Sequence, residues 1–241
     1  MEGLILFSGG FEVSSSPTNP LEKLPILCFD TSTTKGVLVL GAGGNVLAER
    51  VLATSKGHAG WLMPAVEELL DEVGLGKEDL GAIACGIGPG NYTGVKVGVS
   101  TAKALAYALE LPLIGLNSLD ILAWKAVGLA DMALVTRDAK QGLFFASLYR
   151  IRDFPERITE YLCAPVSSVL NMLAGANGRI AVLCEDARRI GTVFHSKELL
   201  IIEGVYHPDA KNLYECAMAS IKDGAISNAV SVLPVYLKKP V

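Results

Sequence analysis

The stretch Gly86-Ile87-Gly88-Pro89-Gly90-Asn91-Tyr92-Thr93-Gly94-Val95-Lys96-Val97-Gly98 joins an apolar strand to a helix through a turn that few side chains permit. The strand is read over 82–87 and the helix over 93–110, with Pro112 unable to continue it. Pro89 fixes its own φ and Gly90 tolerates a positive one, the combination of a type II turn. Asn91 or Thr93 is then placed to cap the helix by accepting a bond from a free backbone N–H. In α/β proteins such a junction is a common ligand site, and free N–H groups with the helix dipole favour an anion there. The named phosphate motifs nevertheless fail. Gly88 and Gly94 enclose five residues where a Walker loop has four, and Val95 stands where Lys is needed. A dinucleotide fingerprint begun at Gly88 meets Gly90 but then finds Thr93 in place of its third glycine. The turn is thus either a phosphate contact outside those motifs or a purely structural element.

The helix carries Gly94, Gly98, Ala102 and Ala106 at intervals of four, so small side chains share one face. That face suits close packing on the chain's own sheet or on another subunit. Upstream, the apolar run 26–29 reads as a buried strand ending at Asp30-Thr31-Ser32-Thr33-Thr34, followed by strands over 37–40 and 46–53 in a meander. Leu62, Ala65, Val66, Leu69, Leu70 and Val73 fall at helical spacing over 60–73, with Gly74 as the stop. Downstream, a short strand over 113–116 precedes a helix over 118–127 capped by Ser118. A strand over 132–136, a turn at Asp138-Ala139-Lys140-Gln141-Gly142 and a strand over 143–149 then repeat the earlier order. A charged loop over 150–157, a strand near 160–162, a helix over 167–174, strands over 180–184 and 199–202 and a helix over 209–222 complete the chain. The expected fold is α/β in two related lobes, 25–116 and 117–241. Residues 1–24 are read as an N-terminal extension, in which Ser14-Ser15-Ser16-Pro17-Thr18-Asn19-Pro20 favours turns or disorder.

Composition narrows the function. In 241 residues, 51% are hydrophobic and 19% charged, which describes a packed globule with apolar surface left for a partner. No apolar run reaches membrane-span length, and no Lys or Arg precedes Lys23, so neither a membrane segment nor a secretory leader is expected and the chain reads as cytoplasmic. A net charge of −4 without a basic cluster makes the chain alone a poor nucleic-acid binder. Its five scattered cysteines, Cys28, Cys85, Cys163, Cys184 and Cys216, lie mostly in apolar runs and read as reduced core residues.

Asp30 with Thr31 and Ser32 could hold a metal or water beside a phosphate, or simply start the hairpin with an Asx turn. Asp138 with Lys140 occupies the corresponding turn and carries the same two readings. His58 precedes a helix, but Leu62 stands where a second helical ligand would fall. His195 and His207 have no ligand-spaced partner, and neither a nucleophile elbow nor an activated cysteine is visible, so no metal and no catalytic residue is assigned.

The run 86–98 resembles Gly-Ile-Gly-Pro-Gly-Ser-Phe-Thr-Gly-Leu-Arg-Ile-Gly of the TsaB (YeaZ) family. Asp30-Thr31-Ser32, Lys56-Gly57-His58, Pro112-Leu113, Asn117-Ser118-Leu119, Asp138-Ala139-Lys140 and Pro234-Val235-Tyr236-Leu237 match in the same order. Asn91, Tyr92, Val95, Lys96 and Val97 are mild replacements that leave the glycines and proline intact. The resemblance implies two actin-like (ASKHA, ribonuclease H-like) lobes, each a mixed sheet flanked by helices. It further implies a non-catalytic subunit that supports TsaD in transferring threonylcarbamoyl from threonylcarbamoyl-adenylate to a tRNA adenosine next to the anticodon. The partners implied are TsaD and TsaE, with tRNA met only through the complex, and ATP/ADP and a metal held by the partners. The expected association surface comprises Trp61, Leu62, Ala65, Val66, Leu69, Val99, Lys103 and Tyr107, which could also pair two copies when TsaD is absent. The expected nucleotide or turn residues are Asp30, Thr31, Ser32, Gly88, Pro89, Gly90, Asn91, Tyr92, Thr93 and Gly94. The alternative is a small-molecule kinase or ATPase of the same fold, using Asp30 and the Gly-rich turn. A glycopeptidase-like hydrolase would need a nucleophile or metal pair that is not visible.

Overall fold

The apolar runs become strands buried on both faces, which is why they lack the alternation of a half-exposed sheet. The computed structural model describes residues 19–53, 60–190 and 199–238. Expectations for residues 1–18, for Lys56-Gly57-His58 and for His195 lie outside the described residues, while the end of the N-terminal extension forms a 3-10 turn over Pro20–Lys23 capped by Asn19. Strands β1 (Ile26–Asp30), β2 (Lys35–Ala42) and β3 (Asn45–Ala53) form the expected antiparallel meander. After α1 (Leu62–Val73), strand β4 (Ala82–Gly86), α2 (Tyr92–Ala108) and β5 (Leu113–Leu116) extend the sheet in parallel, giving the order β3-β2-β1-β4-β5.

The second lobe begins at α3 (Ser118–Ala123) and continues through β6 (Met132–Asp138), β7 (Leu143–Ile151), β8 (Pro155–Arg157) and β9 (Leu162–Pro165). There follow α4 (Val166–Asn171), β10 (Ile180–Leu183), α5 (Ala187–Ile190), β11 (Leu199–Ile202) and α6 (Ala210–Lys222). The sheet runs β11-β10-β6-β7-β8, and β9 also pairs with β7. Asp120 of α3 accepts from the hydroxyls of Tyr149 at 2.7 Å and Tyr161 at 2.6 Å, tying the helix to this sheet.

Several local expectations change. The positive φ sits at Gly88, at 92°, and not at Gly90, so the expected type II turn with Gly90 in its third position does not form. Gly90 is required for space instead: a Cβ there would fall on the carbonyl oxygen of Ser32. Asn117, not Ser118, caps α3, its Oδ1 accepting from the Leu119 N–H at 2.9 Å. The helix stops at Ala123 and passes into a 3-10 turn over Trp124–Ala126. The strand expected near 160–162 forms at Leu162–Pro165, the helix expected over 167–174 at Val166–Asn171, and α5 was not anticipated.

The lobes also divide differently in space from the chain. Helix α6, from the C-terminal half, packs on the first sheet, where Leu213, Tyr214 and Ala217 meet Ile26, Cys28, Val37 and Val39. Ser227 bridges to Leu113, and Val232 joins the first-lobe core. The opposite face of that sheet is covered by α1 and α2. The small-residue stripe of α2 faces inward, and a Cβ at Gly98 would fall on the Thr31 hydroxyl, which itself donates to the Gly94 carbonyl at 2.7 Å. Close packing on the chain's own sheet therefore explains the stripe.

This packing corrects much of the expected association surface. Leu62, Ala65, Val66, Leu69 and Val99 are buried in the first-lobe core against Leu27, Phe29 and Ile83, because the apolar spacing that marks α1 as amphipathic also turns those residues to the sheet. Trp61 is partly buried against the same cluster, Lys103 is half-buried with its ammonium donating to the Val230 and Val232 carbonyls, and Tyr107 is the member of the set that stays on the outer side of α2, 79% exposed. Leu62→Glu is accordingly expected to destabilise the fold by more than the ~2–5 kcal/mol of a buried Leu→Ala change. Urea denaturation checks this, and a wild-type midpoint would contradict the burial.

Candidate functional site

Strand β1 ends at Asp30 because the chain must leave the sheet there, and the carboxylate organises the turn that follows. Its Oδ1 accepts from the Ser32 N–H at 2.7 Å and the Ser32 hydroxyl at 2.6 Å, the Asx arrangement. Its Oδ2 accepts from the Ser118 hydroxyl at 2.8 Å, and no part of Asp30 is exposed. Gly86 on β4 makes room, since a Cβ there would fall on the carboxylate. Arg137, at the end of β6, reaches across from the second lobe. Its Nη1 donates to the Ser32 hydroxyl at 3.0 Å and the Pro89 carbonyl at 3.2 Å, and Nη2 donates to the Ser32 carbonyl at 3.0 Å. Burial pushes the guanidinium below its ordinary pKa, while the charges of Asp30 and Glu185 pull it back up. Burial likewise raises Glu185, opposed by Arg137, whose Nε lies 3.9 Å from its Oε1.

Asp138 builds the matching turn of the second lobe with cations. It accepts from the Lys140 N–H at 2.8 Å, the Lys140 ammonium at 2.9 Å and the Arg189 guanidinium at 2.6 Å and 3.1 Å. Burial alone would raise its pKa, but the bonds from Arg189 and Lys140 outweigh this and hold the carboxyl well below the usual carboxylate range.

The two hairpin turns face each other across a cavity of about 630 Å³. Ser32, Pro89, Gly90, Asn91 and Tyr92 line it from the first lobe, whereas Asp30, Thr31, Gly88, Thr93 and Gly94 do not. Arg137 and Lys140 line it from the second lobe, and the segment 235–238 closes one side. At the N-terminus of α2, Asn91 Oδ1 accepts from the N–H groups of Thr93 at 3.1 Å and Gly94 at 3.3 Å. The helix thus caps itself with two of the groups that a phosphate would use. Among the described residues, no group of three or more His, Cys, Asp or Glu side chains is placed to hold a metal. Burial pushes the Cys85 thiol up to about 12, as befits a core cysteine.

Arg137, Glu185 and the hydroxyl role of Ser118 escaped the sequence reading. A lone Arg closing the apolar run 132–136 was the available signal for the first. Ser118 was visible only as a helix cap.

A family model described as "TsaD: tRNA N6-adenosine threonylcarbamoyltransferase" matches residues 45–239. The chain belongs to this family. Within it, the TsaB-like chain is 28% identical to the tRNA threonylcarbamoyladenosine biosynthesis protein TsaB of Haemophilus influenzae, over 92% of this chain and 96% of that one. It is 35% identical to the Bacillus subtilis protein of the same name, over 54% of this chain and 57% of the relative, so this match spans just over half of that relative's length. A YeaZ structure from Pseudomonas aeruginosa, 25% identical, superposes with a TM-score of 0.77 over 89% of this chain and 100% of its own. The two-lobed architecture of the TsaB-like chain is actin-like, with a mixed sheet in each lobe.

Because Asp138 has a depressed folded-state pKa, its contribution to stability is complete above the ordinary carboxylate pKa of about 4 and is lost as pH falls below it. Asp138→Asn should therefore lower the melting temperature at neutral pH and flatten its decline between about pH 4 and pH 2. An acid limb as steep as wild type would refute this.

Proposed function

We propose that this chain acts in tRNA threonylcarbamoyladenosine formation as a non-catalytic subunit, supporting a TsaD-type enzyme that transfers threonylcarbamoyl from threonylcarbamoyl-adenylate to the adenosine beside the anticodon. The names of its relatives support the pathway. The observation that carries the subunit reading is the state of Asp30, whose two oxygens are engaged by Ser32 and Ser118 behind the cavity wall. A carboxylate held this way braces turns and is removed from a reacting ligand. In this reading TsaD and TsaE are the partners, tRNA is met through the complex in the cytoplasm, and the nucleotide and metal belong to the partners. Two copies pair through the same surface when TsaD is absent.

The association surface moves outward from the positions first expected to the solvent side of α2 around Tyr107. Omitting the chain from a mixture of TsaD, TsaE, tRNA and threonylcarbamoyl-adenylate should abolish modification, and undiminished product without it would overturn the proposal. Tyr107→Glu should weaken co-sedimentation with TsaD about tenfold while leaving the melting temperature unchanged. Equal binding would exclude this face.

The cavity favours one second reading, an ATPase, since both hairpin turns and Lys140 border it. Calorimetry with Mg-ATP separates the two. Tight binding with turnover by the isolated chain supports the ATPase, and its absence supports the subunit.

A further inference from the structure

The cavity is bordered by two ties of different character. Arg137 is 5% exposed, and its three hydrogen-bond acceptors all belong to turns of the first lobe. The Ser32 carbonyl that it reaches also accepts from the Asn91 N–H at 2.7 Å, so one oxygen joins both first-lobe turns to the second lobe. Separating the lobes would break all three of these hydrogen bonds together and leave Arg137 only the second-lobe carboxylate of Glu185, a larger cost than breaking one exposed contact.

The second tie is the segment 228–238, which follows α6. Lys103 Nζ of α2 donates to the carbonyls of Val230 at 3.3 Å and Val232 at 3.0 Å. The Val235 N–H then donates to the Ile87 carbonyl at 2.8 Å, and the Tyr236 ring lies 5.0 Å from that of Tyr92. At its end, Lys238 Nζ crosses to the second lobe, donating to the Ala139 carbonyl at 3.0 Å and Gln141 Oε1 at 2.8 Å. Leu233 is 66% exposed and Tyr236 44%, while Leu237 is partly buried against the second-lobe core, so the apolar anchoring of this end is partial. Hydrogen bonds open to solvent and few apolar contacts mark a segment that opens locally.

We propose that Arg137 locks the two lobes into one body, and that the cavity between them opens by displacement of the C-terminal strap 233–238, not by separation of the lobes. The strap is the movable wall, and the floor formed by Ser32, Pro89 and Arg137 is fixed. The device belongs to the isolated chain and holds whether its partner is a TsaD-type subunit or a nucleotide.

Single-amide hydrogen exchange of the full chain tests it. Corrected for intrinsic rates, the Val235 amide should exchange at least about tenfold faster than those of Asn91 and Ser118, which donate to Ser32 and Gly88. Lys238→Ala should accelerate Val235 a further ~2–5-fold and leave Asn91 and Ser118 unchanged. Equal protection of Val235 and Ser118 in the wild-type chain, or acceleration of both by Lys238→Ala, means that the lobes open together and overturns the proposal, because the Ser118 bond to Gly88 joins the second lobe to the first. Arg137→Lys keeps the charge but loses the planar fork and should expose Ser118 to exchange. Unaltered protection of Ser118 in that variant overturns the lock, and the wild-type and Lys238→Ala measurements decide the strap even if Arg137→Lys does not fold.

Discussion

The Asp30 carboxylate and the Arg137 guanidinium never touch directly, yet both grip Ser32, and that residue holds the two halves of the molecule in register. Around it converge the end of β1, the turn before α2, the start of α3 and the end of β6. Each of those segments carries a residue chosen by the crowding. Gly86 admits the carboxylate, Gly90 admits the Ser32 carbonyl, and Ser118 supplies a hydroxyl because Asn117 has taken over the capping of its helix. A buried polar network of this kind is stabilising only when its members are satisfied together, which makes the junction a cooperative unit.

The elements of the chain were largely legible because strand and helix periods are local properties. The meander, α1, the small-faced α2 and the repeated strand-turn-strand order all follow from spacing and from breakers such as Gly74 and Pro112. What escaped were properties set by distant parts of the chain. Nothing near residue 210 indicates that α6 covers Ile26 and Val39. The apolar positions of α1 were read correctly as one face, but spacing does not say whether that face meets a sheet or a partner. Leu62 and Leu69 proved to meet the sheet. The turn chemistry failed for a related reason, because the demand for glycine at position 90 comes from Ser32, far away in sequence.

The two hairpin turns show how one architecture can hold similar loops by opposite means. Asp30 works without exposure, through serine hydroxyls, with Arg137 spanning the lobes beyond them. Asp138 works beside Lys140 and Arg189 in a cation-rich setting that depresses its pKa. Both turns border the cavity, the first through Ser32 as part of a buried junction and the second through Lys140 at a charged rim. Any ligand or partner that reaches this region meets a floor already engaged in holding the fold and a rim that carries charge.

The return of α6 to the first sheet has a consequence for the order of events in a growing polypeptide. While the second lobe is being made, the face of β1 and β2 formed by Ile26, Cys28, Val37 and Val39 lacks its cover, because α6, the helix that shields it, follows β11 in the chain. Closing the core of the first sheet therefore waits on a contact between segments far apart in sequence, with the whole second sheet between them. The first lobe is completed by a piece of chain that comes after its neighbour, so the folding of the two is coupled.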